Sequence, residues 1–327
     1  MFQKMKKKIF YFLLIAMLSI TACADNSSAA EQTNTDKDIT DSAEIDSSVK
    51  NDESLTNTDE NDMDLTSSAD DRETLSHSEE LQTLSFINAL GETHEMTVNP
   101  EVAPNLYDNT KFIRNDNQLL YDDPSYTTRL GIDVSYYQGE IDWEKVKADG
   151  YEFVFIRIGL RGYGEEGIIK VDEMFHENIK GAQNAGLDVG VYFFAQAINE
   201  EEAIEEANFV LEQLNGYELQ MPVVYDPESI LHTESRTDDV TGEQFTKNSR
   251  AFCETIQSAG YEPMIYCNLM WQAFQLDLTQ LAEFPIWYAD YEALPQTPYH
   301  FDIWQYSESG QVNGIDGAVD LNIQFIS

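Results

Sequence analysis

The segment Met221-Pro222-Val223-Val224-Tyr225-Asp226-Pro227-Glu228 joins an apolar run to two carboxylates and two prolines. Val223, Val224 and Tyr225 have the β-branched and aromatic character of a short buried strand. Side chains alternate along a strand, so Val224, Asp226 and Glu228 share one face, with the acids about 6–7 Å apart. Pro227 has no N–H for a neighbouring strand, so regular pairing should stop there. Both acids then lie at the C-terminal mouth of the strand, where α/β barrels carry their chemistry. Two carboxylates at such a mouth suit proton transfer to and from a glycosidic oxygen. Taken alone, the stretch is equally well read as a solvated acidic strand end.

The flanking sequence repeats the same unit. Arg129–Ser135 is strand-like, and Asp142–Ala148 is a short amphipathic helix ending at Gly150. Phe153–Ile158 is a second strand, containing Arg157, and Asp172–Ala185 a helix stopped by Gly186. Asp188–Phe194 is a third strand, followed by a long acidic helix, Glu200–Leu214. After the fourth strand, Thr241–Ala259 reads as a helix with Thr241 and Gln244 as a capping box and Gly260 as its stop. Pro263–Cys267 is a fifth strand, and then helices shrink around Phe284–Tyr288, Phe301–Tyr306 and a last strand near Leu321. Repeated β-α units imply a parallel sheet with right-handed crossovers, and about eight strands imply closure into a barrel. The fold class is α/β, a TIM-like barrel whose last third lacks full helices.

Upstream the chain changes character three times. Lys4, Lys6, Lys7 and Lys8 precede an apolar run, Ile9–Ile20, which is too short to span a membrane as a mature helix and suits a secretory signal. Ile20-Thr21-Ala22-Cys23 follows and resembles a bacterial lipobox, which implies lipidation of Cys23 and a place on the extracellular face of the cell membrane. An ordinary signal peptide cleaved nearby is the alternative, and it also exports the chain. Residues 24–80 carry 18 acidic and 3 basic side chains and scarcely an aromatic, so they read as a disordered acidic tether. In 81–128, Leu84–Ala89 and Glu95–Val98 flank Gly91 as a hairpin, and Asn99–Tyr126 is irregular. That lead-in has no chemistry of its own. Residues 129–327 hold the barrel.

The whole chain of 327 residues has a net charge of −41, with 19 Lys and Arg against 60 Asp and Glu. Nucleic acid is a poor partner for it, because binding phosphates requires cations. Repulsion likewise disfavours loose adsorption to anionic surfaces.

Four acids fall at strand ends: Asp133 in Gly131-Ile132-Asp133-Val134-Ser135, Asp226 and Glu228, and Asp320 in Val319-Asp320-Leu321-Asn322. Aromatics interleave with them: Tyr192 and Phe194, Trp287, Tyr288 and Tyr291, Trp304 and Tyr306. Ring faces cover a pyranose while acids engage hydroxyls and the scissile oxygen, so the set suits a sugar polymer.

Together these residues resemble glycoside hydrolase family 25, the muramidases called CH-type lysozymes. The resemblance rests on Asp-x-Ser-x-x-Gln (Asp133, Ser135, Gln138), Asp-x-Glu (Asp226, Glu228), Trp-Tyr-Ala-Asp-Tyr at 287–291, Trp-Gln-Tyr at 304–306 and Val-Asp-Leu-Asn at 319–322, in the family's order over about residues 129–327. It implies five β/α units followed by three strands. It further implies hydrolysis of the β-1,4 bond from N-acetylmuramic acid to N-acetylglucosamine in peptidoglycan glycan strands. Glu228 matches the general acid, and Asp226 the carboxylate that assists the substrate's acetamido group in a retaining reaction. Asp133 and Asp320 match acids lining the same pocket. Like-charge crowding there would raise the Glu228 pKa and keep it protonated. Tyr192, Phe194, Trp287, Tyr291, Asp290, Trp304, Gln138 and Arg157 are the candidate substrate-binding residues. Pro227 and Phe193 depart from the family at positions where many relatives carry an aliphatic or aromatic residue and where some carry His.

Cys253 and Cys267 read either as buried thiols or as a disulfide in an oxidising compartment. No Cys/His spacing suggests zinc, and no cofactor is called for. A monomeric, lipid-anchored muramidase is the leading expectation. A wall-tethering module that binds glycan without cutting it, and a metal-dependent hydrolase or deacetylase inhibited by EDTA, are the rivals.

Overall fold

The computed structural model describes residues 81–115, 118–231 and 233–327. The signal-like segment, Cys23 and the acidic residues 24–80 lie outside the described residues. The lead-in begins with the expected hairpin, β1 (Thr83–Ile87) and β2 (Thr93–Thr97), paired antiparallel and turned at Gly91 with φ of 78°. A second hairpin follows where irregular chain was expected: β3 (Phe112–Asn115) and β4 (Gln118–Tyr121). These strands are four residues each and lack clean alternation, so local pattern does not announce them.

The barrel strands are β5 (Thr127–Val134), β6 (Phe153–Arg161), β8 (Asp188–Ala195), β9 (Val223–Pro227), β10 (Pro263–Asn268), β11 (Ile286–Ala289), β12 (Ile303–Gly310) and β13 (Val319–Ile326). A short β7 (Ile169–Val171) flanks β6 as an antiparallel flap. The ring closes because β5 pairs with β6 on one side and with β13 on the other. All neighbours from β5 round to β12 run parallel, whereas β13 is antiparallel to both β12 and β5. Helices α1 (Trp143–Ala148), α2 (Phe175–Asn184), α3 (Glu200–Gln213), α4 (Gly242–Ser258) and α5 (Leu269–Phe274) follow the first five barrel strands. The result is the expected mixed α/β barrel of five β/α units and three closing strands.

Local chemistry sets these elements. Asp142, Asn199 and Thr241 cap α1, α3 and α4 by accepting from the backbone N–H of Lys145, Glu202 and Gln244. The capping box expected at α4 is only half made, because the Gln244 side chain donates to Asn248 instead. A complete box forms at Ser135 and Gln138, where the chain turns off the end of β5.

Strand parity divides the side chains. Phe153, Phe155, Val224, Met264, Tyr266, Trp287 and Ile303 fill the barrel interior. Val154, Ile156, Val191, Phe193, Val223, Tyr225, Ile265 and Cys267 face outward into the main core. Gly131 and Gly190 also point inward, and a Cβ on either would collide with the ring of Phe153 or Phe155. Two glycines thus let two phenylalanines close the barrel floor. Cys253 and Cys267 are both buried free thiols, with burial pushing Cys267 up to about 12 and Cys253 higher still.

The last three strands have no helices of their own. The lead-in covers them. Tyr107 packs on Phe301 and Phe325 with ring centroids 4.9 and 4.3 Å away and donates to the Phe301 carbonyl at 2.7 Å. Phe112 meets Trp304 edge-on, and the Arg114 guanidinium lies over Trp304 and Tyr306 while donating to the Glu292 and Ala293 carbonyls. The described part of the lead-in and the barrel fall within one compact unit.

Candidate active site

At the C-terminal end of β9, Asp226 is buried and Glu228 half-buried, on one face as alternation requires. Phe194 pairs with Asp226, and Ala195 with Pro227, in the last rungs of the β8–β9 ladder. Asp133 is buried near the end of β5, and its register partner on β13 is Asp320. Asp320 reaches the same mouth from the beginning of its strand, because β13 runs in the opposite direction. Side-chain hydrogen bonding between the two carboxyls lowers the pKa of Asp133 and raises that of Asp320.

Three further side chains tie this cluster together, and the sequence reading did not single them out. Gln305 Nε2 and Asn322 Nδ2 both donate to Asp133 Oδ2 at 2.8 Å. The Gln305 Oε1 in turn accepts from the hydroxyls of Tyr266 and Tyr291, each at 2.9 Å. Asn322 Oδ1 accepts from Trp287 Nε1 at 2.8 Å. Trp287 stacks on Phe155 and meets Tyr192 and Tyr266 edge-on, forming the floor beneath the acids. Gln305 and Asn322 lie inside quoted motifs. Inward parity with Ile303 and Asp320 was the signal available for them.

Arg157 supplies positive charge to the pocket. Its Nε donates to Asp172 Oδ2 at 2.8 Å, and its guanidinium lies over Tyr136 and Tyr137 at 5.1 and 5.5 Å. Asp172 also accepts from the backbone of Tyr136 and Met174, so it is an anchor ahead of α2 and not that helix's first residue.

The carboxyls are displaced from ordinary behaviour. Burial pushes Glu228 up to about 7, the charge of Asp133 adds to this, and Arg157 opposes it. Burial, then Glu228 and Asp133, hold Asp226 well above the carboxylate range, again against Arg157. Burial raises Asp133 to about 6 against the bonds from Asn322, Gln305 and Asp320. Asp320 is held well above its usual range, by burial first and then by Asp133 and Glu308. The expected crowding by like charge is present, but loss of water is the larger cause at each acid.

Not every candidate reaches the pocket. Trp304 is fully buried on the outer face of β12, where its Nε1 donates to the Asp290 carbonyl and its ring contacts the lead-in. Its neighbour Gln305 takes the inward position. Asp290 binds Tyr288 Oη and the Glu292 and Gln296 backbone, shaping the loop behind Tyr291. Gln138 spends its amide on Ser135 N and the Ala318 carbonyl, joining the end of β5 to the start of β13. These three are placed one residue or one layer away from the cavity. Tyr192, Phe194, Trp287, Tyr291 and Arg157 lie with the four acids.

A closed barrel with carboxyls gathered at the strand mouths over an aromatic floor suits the hydrolysis of a glycosidic bond. The family model for glycosyl hydrolases family 25 matches residues 132–315, more than half of the chain, and the chain belongs to that family. It is 29% identical over 193 residues to the autolytic lysozyme of Clostridium acetobutylicum, covering 59% of this chain and 54% of that protein. Lysozyme M1 of Streptomyces globisporus is 28% identical over 210 residues, covering 59% of this chain and 66% of that one. The chain therefore spans between half and two thirds of these relatives' lengths. The crystal structure of a bacterial lysozyme from Streptomyces coelicolor superposes with a TM-score of 0.51 at 25% identity, over 60% of this chain and 91% of that one. The family match begins at residue 132, after the lead-in.

Proposed function

We propose that the chain is a lysozyme, hydrolysing the β-1,4 bond between N-acetylmuramic acid and N-acetylglucosamine in peptidoglycan. The observation that carries this is the pair at the end of β9: a Glu228 raised to about 7 by burial, beside a buried Asp226 whose Oδ1 has no partner among the described residues. A glutamic acid still protonated near neutrality can give its proton to the departing glycosidic oxygen. The unpartnered Asp226 oxygen is suited to accept the N–H of the sugar's 2-acetamido group, orienting its carbonyl oxygen toward the anomeric carbon. Attack by that oxygen gives a cyclic intermediate in place of a glycosyl-enzyme. Glu228, now a carboxylate, takes a proton from the water that opens it, so configuration is retained. Asp133 is held by Gln305 and Asn322, and with Asp320 it keeps negative charge close to Glu228 and to the developing cation.

We further propose that the protein works outside the cell as a monomer, held to the membrane through Cys23, with peptidoglycan glycan strands as its partner. The activity is tested by incubating purified peptidoglycan with the wild type and with Glu228→Gln and analysing soluble fragments by mass spectrometry. New reducing muramic-acid ends from the wild type alone are expected. Pelleting of both proteins on the wall with no fragments would instead identify a glycan-binding module.

A further inference from the structure

Glu228 lies one residue beyond the last rung of the β8–β9 ladder, Ala195 with Pro227. Pro227 has no N–H, so sheet pairing does not extend around the acid. A side chain takes over. Gln196, the residue after β8, is buried and donates from Nε2 to the Glu228 carbonyl at 2.8 Å. Its Oε1 accepts from Ser235 Oγ at 3.1 Å and Thr237 Oγ1 at 3.0 Å, on the loop that leaves Glu228.

Gln196 is itself fixed from behind. Its backbone N–H donates to Glu206 Oε1 at 3.2 Å, and its carbonyl accepts from Arg236 Nη1 at 3.1 Å. Glu206 is fully buried on α3 and paired with Arg161 at 2.8 Å, while Arg236 forms a bidentate pair with Glu202 at 2.7 Å. These four charges sit outside the barrel, on the side of α3, and none of them takes part in the proton transfers described above. Two ion pairs thus fix the Gln196 backbone, two hydroxyls fix its side-chain amide, and that amide holds one carbonyl.

We propose that Gln196 is a positioning residue, which replaces the missing sheet contact at Pro227 and sets where the Glu228 carboxyl stands. The inference rests on the reading of Glu228 as the acid. A loosened Glu228 would swing toward water, away from the groups that face it: Asp226, Asp133 and Asp320, Arg157, Tyr266 and Tyr291. Its proton would then leave at lower pH.

The test uses the full chain with Gln196→Met, which keeps length and loses the hydrogen bonds, alongside Glu228→Gln. Purified peptidoglycan is the substrate. Gln196→Met should lower kcat on the order of 10- to 100-fold, the scale of a small misplacement of a reacting group. KM should stay within about twofold, because the binding surface is not touched. The basic limb of its kcat/KM profile should move to lower pH. Thr237→Val, a milder cut at the same amide, should lower kcat less with the same direction of pH shift, and it serves if Gln196→Met does not fold. Wild-type kcat and an unmoved basic limb in the folded variant overturn the proposal, as does a kcat loss that follows only the loss of folded protein. Full turnover by Glu228→Gln would overturn the assignment of the acid itself, an outcome read separately from the Gln196 arm.

Discussion

Glu228 differs from a surface glutamate first by its loss of water and second by the nearness of Asp133, with Arg157 working against both. The same order of causes holds at Asp226, so the pocket concentrates carboxyls that prefer to be neutral. This has a consequence for stability. Unfolded, Glu228 loses its proton near 4.5, and folded near 7, so the folded state holds the extra proton between those values. Its contribution to stability is complete below about pH 4.5 and is lost as pH rises through 7. Glu228→Gln cannot lose that proton. The variant should match the wild type in thermal unfolding near pH 4 and exceed it above pH 7, by on the order of 1–3 kcal/mol. A Gln variant less stable than the wild type at pH 8 would contradict the assignment. For the same reason, the wild-type rate should fall above about pH 7. The carboxyl whose raised pKa lowers stability above about pH 4.5 is thus the one proposed to act as the acid.

At the scale of elements, two features place the site: the reversal of β13 and the covering of β11–β13 by the lead-in. Reversal puts the first residues of β13 at the barrel mouth, which is how Asp320 meets Asp133 across a hydrogen-bonded ladder. The lead-in takes the place of helices that the last third lacks. Tyr107 is its anchor, buried among Tyr121, Tyr126, Phe301 and Phe325. Tyr107→Ala should cost about 3–5 kcal/mol, as expected for truncating a large buried aromatic. Chemical denaturation measures it, and a cost below about 1 kcal/mol would show the lead-in to be a dispensable spacer. The expected first hairpin was legible because alternating residues flank a glycine turn. The second was not, because its strands are short and their stability comes from rings more than 170 residues away, as in the contacts of Phe112 with Trp304 and Phe325.

For the molecule as a whole, charge and the proposed export define the setting. Net charge is −41, of which residues 24–80 carry −15 by their 18 acids and 3 bases. A chain so charged would be repelled from an anionic surface, so the proposed retention at the membrane would call for a covalent device, for which Cys23 is the candidate. Cys23→Ser should release the protein from the membrane fraction of the expressing cell into the medium, read by fractionation and immunoblot. Continued sedimentation with membranes would remove the anchor. The sequence by itself determined the order of β/α units, the barrel, and the strand-end positions of Asp133, Asp226 and Glu228, because two-residue alternation and helix stops are written over a few neighbouring residues. Only tertiary structure decided that Gln305 faces the pocket while Trp304 faces the lead-in. It also brought Asn322 and Gln305 onto Asp133, and Gln196 under the carbonyl of Glu228. Those contacts join residues 32 to 189 positions apart, and they follow from closing a ring of strands in register, which no local pattern records. Loss of water at the acids is likewise a property of the closed barrel, and so are the raised pKa values on which the proposed chemistry depends.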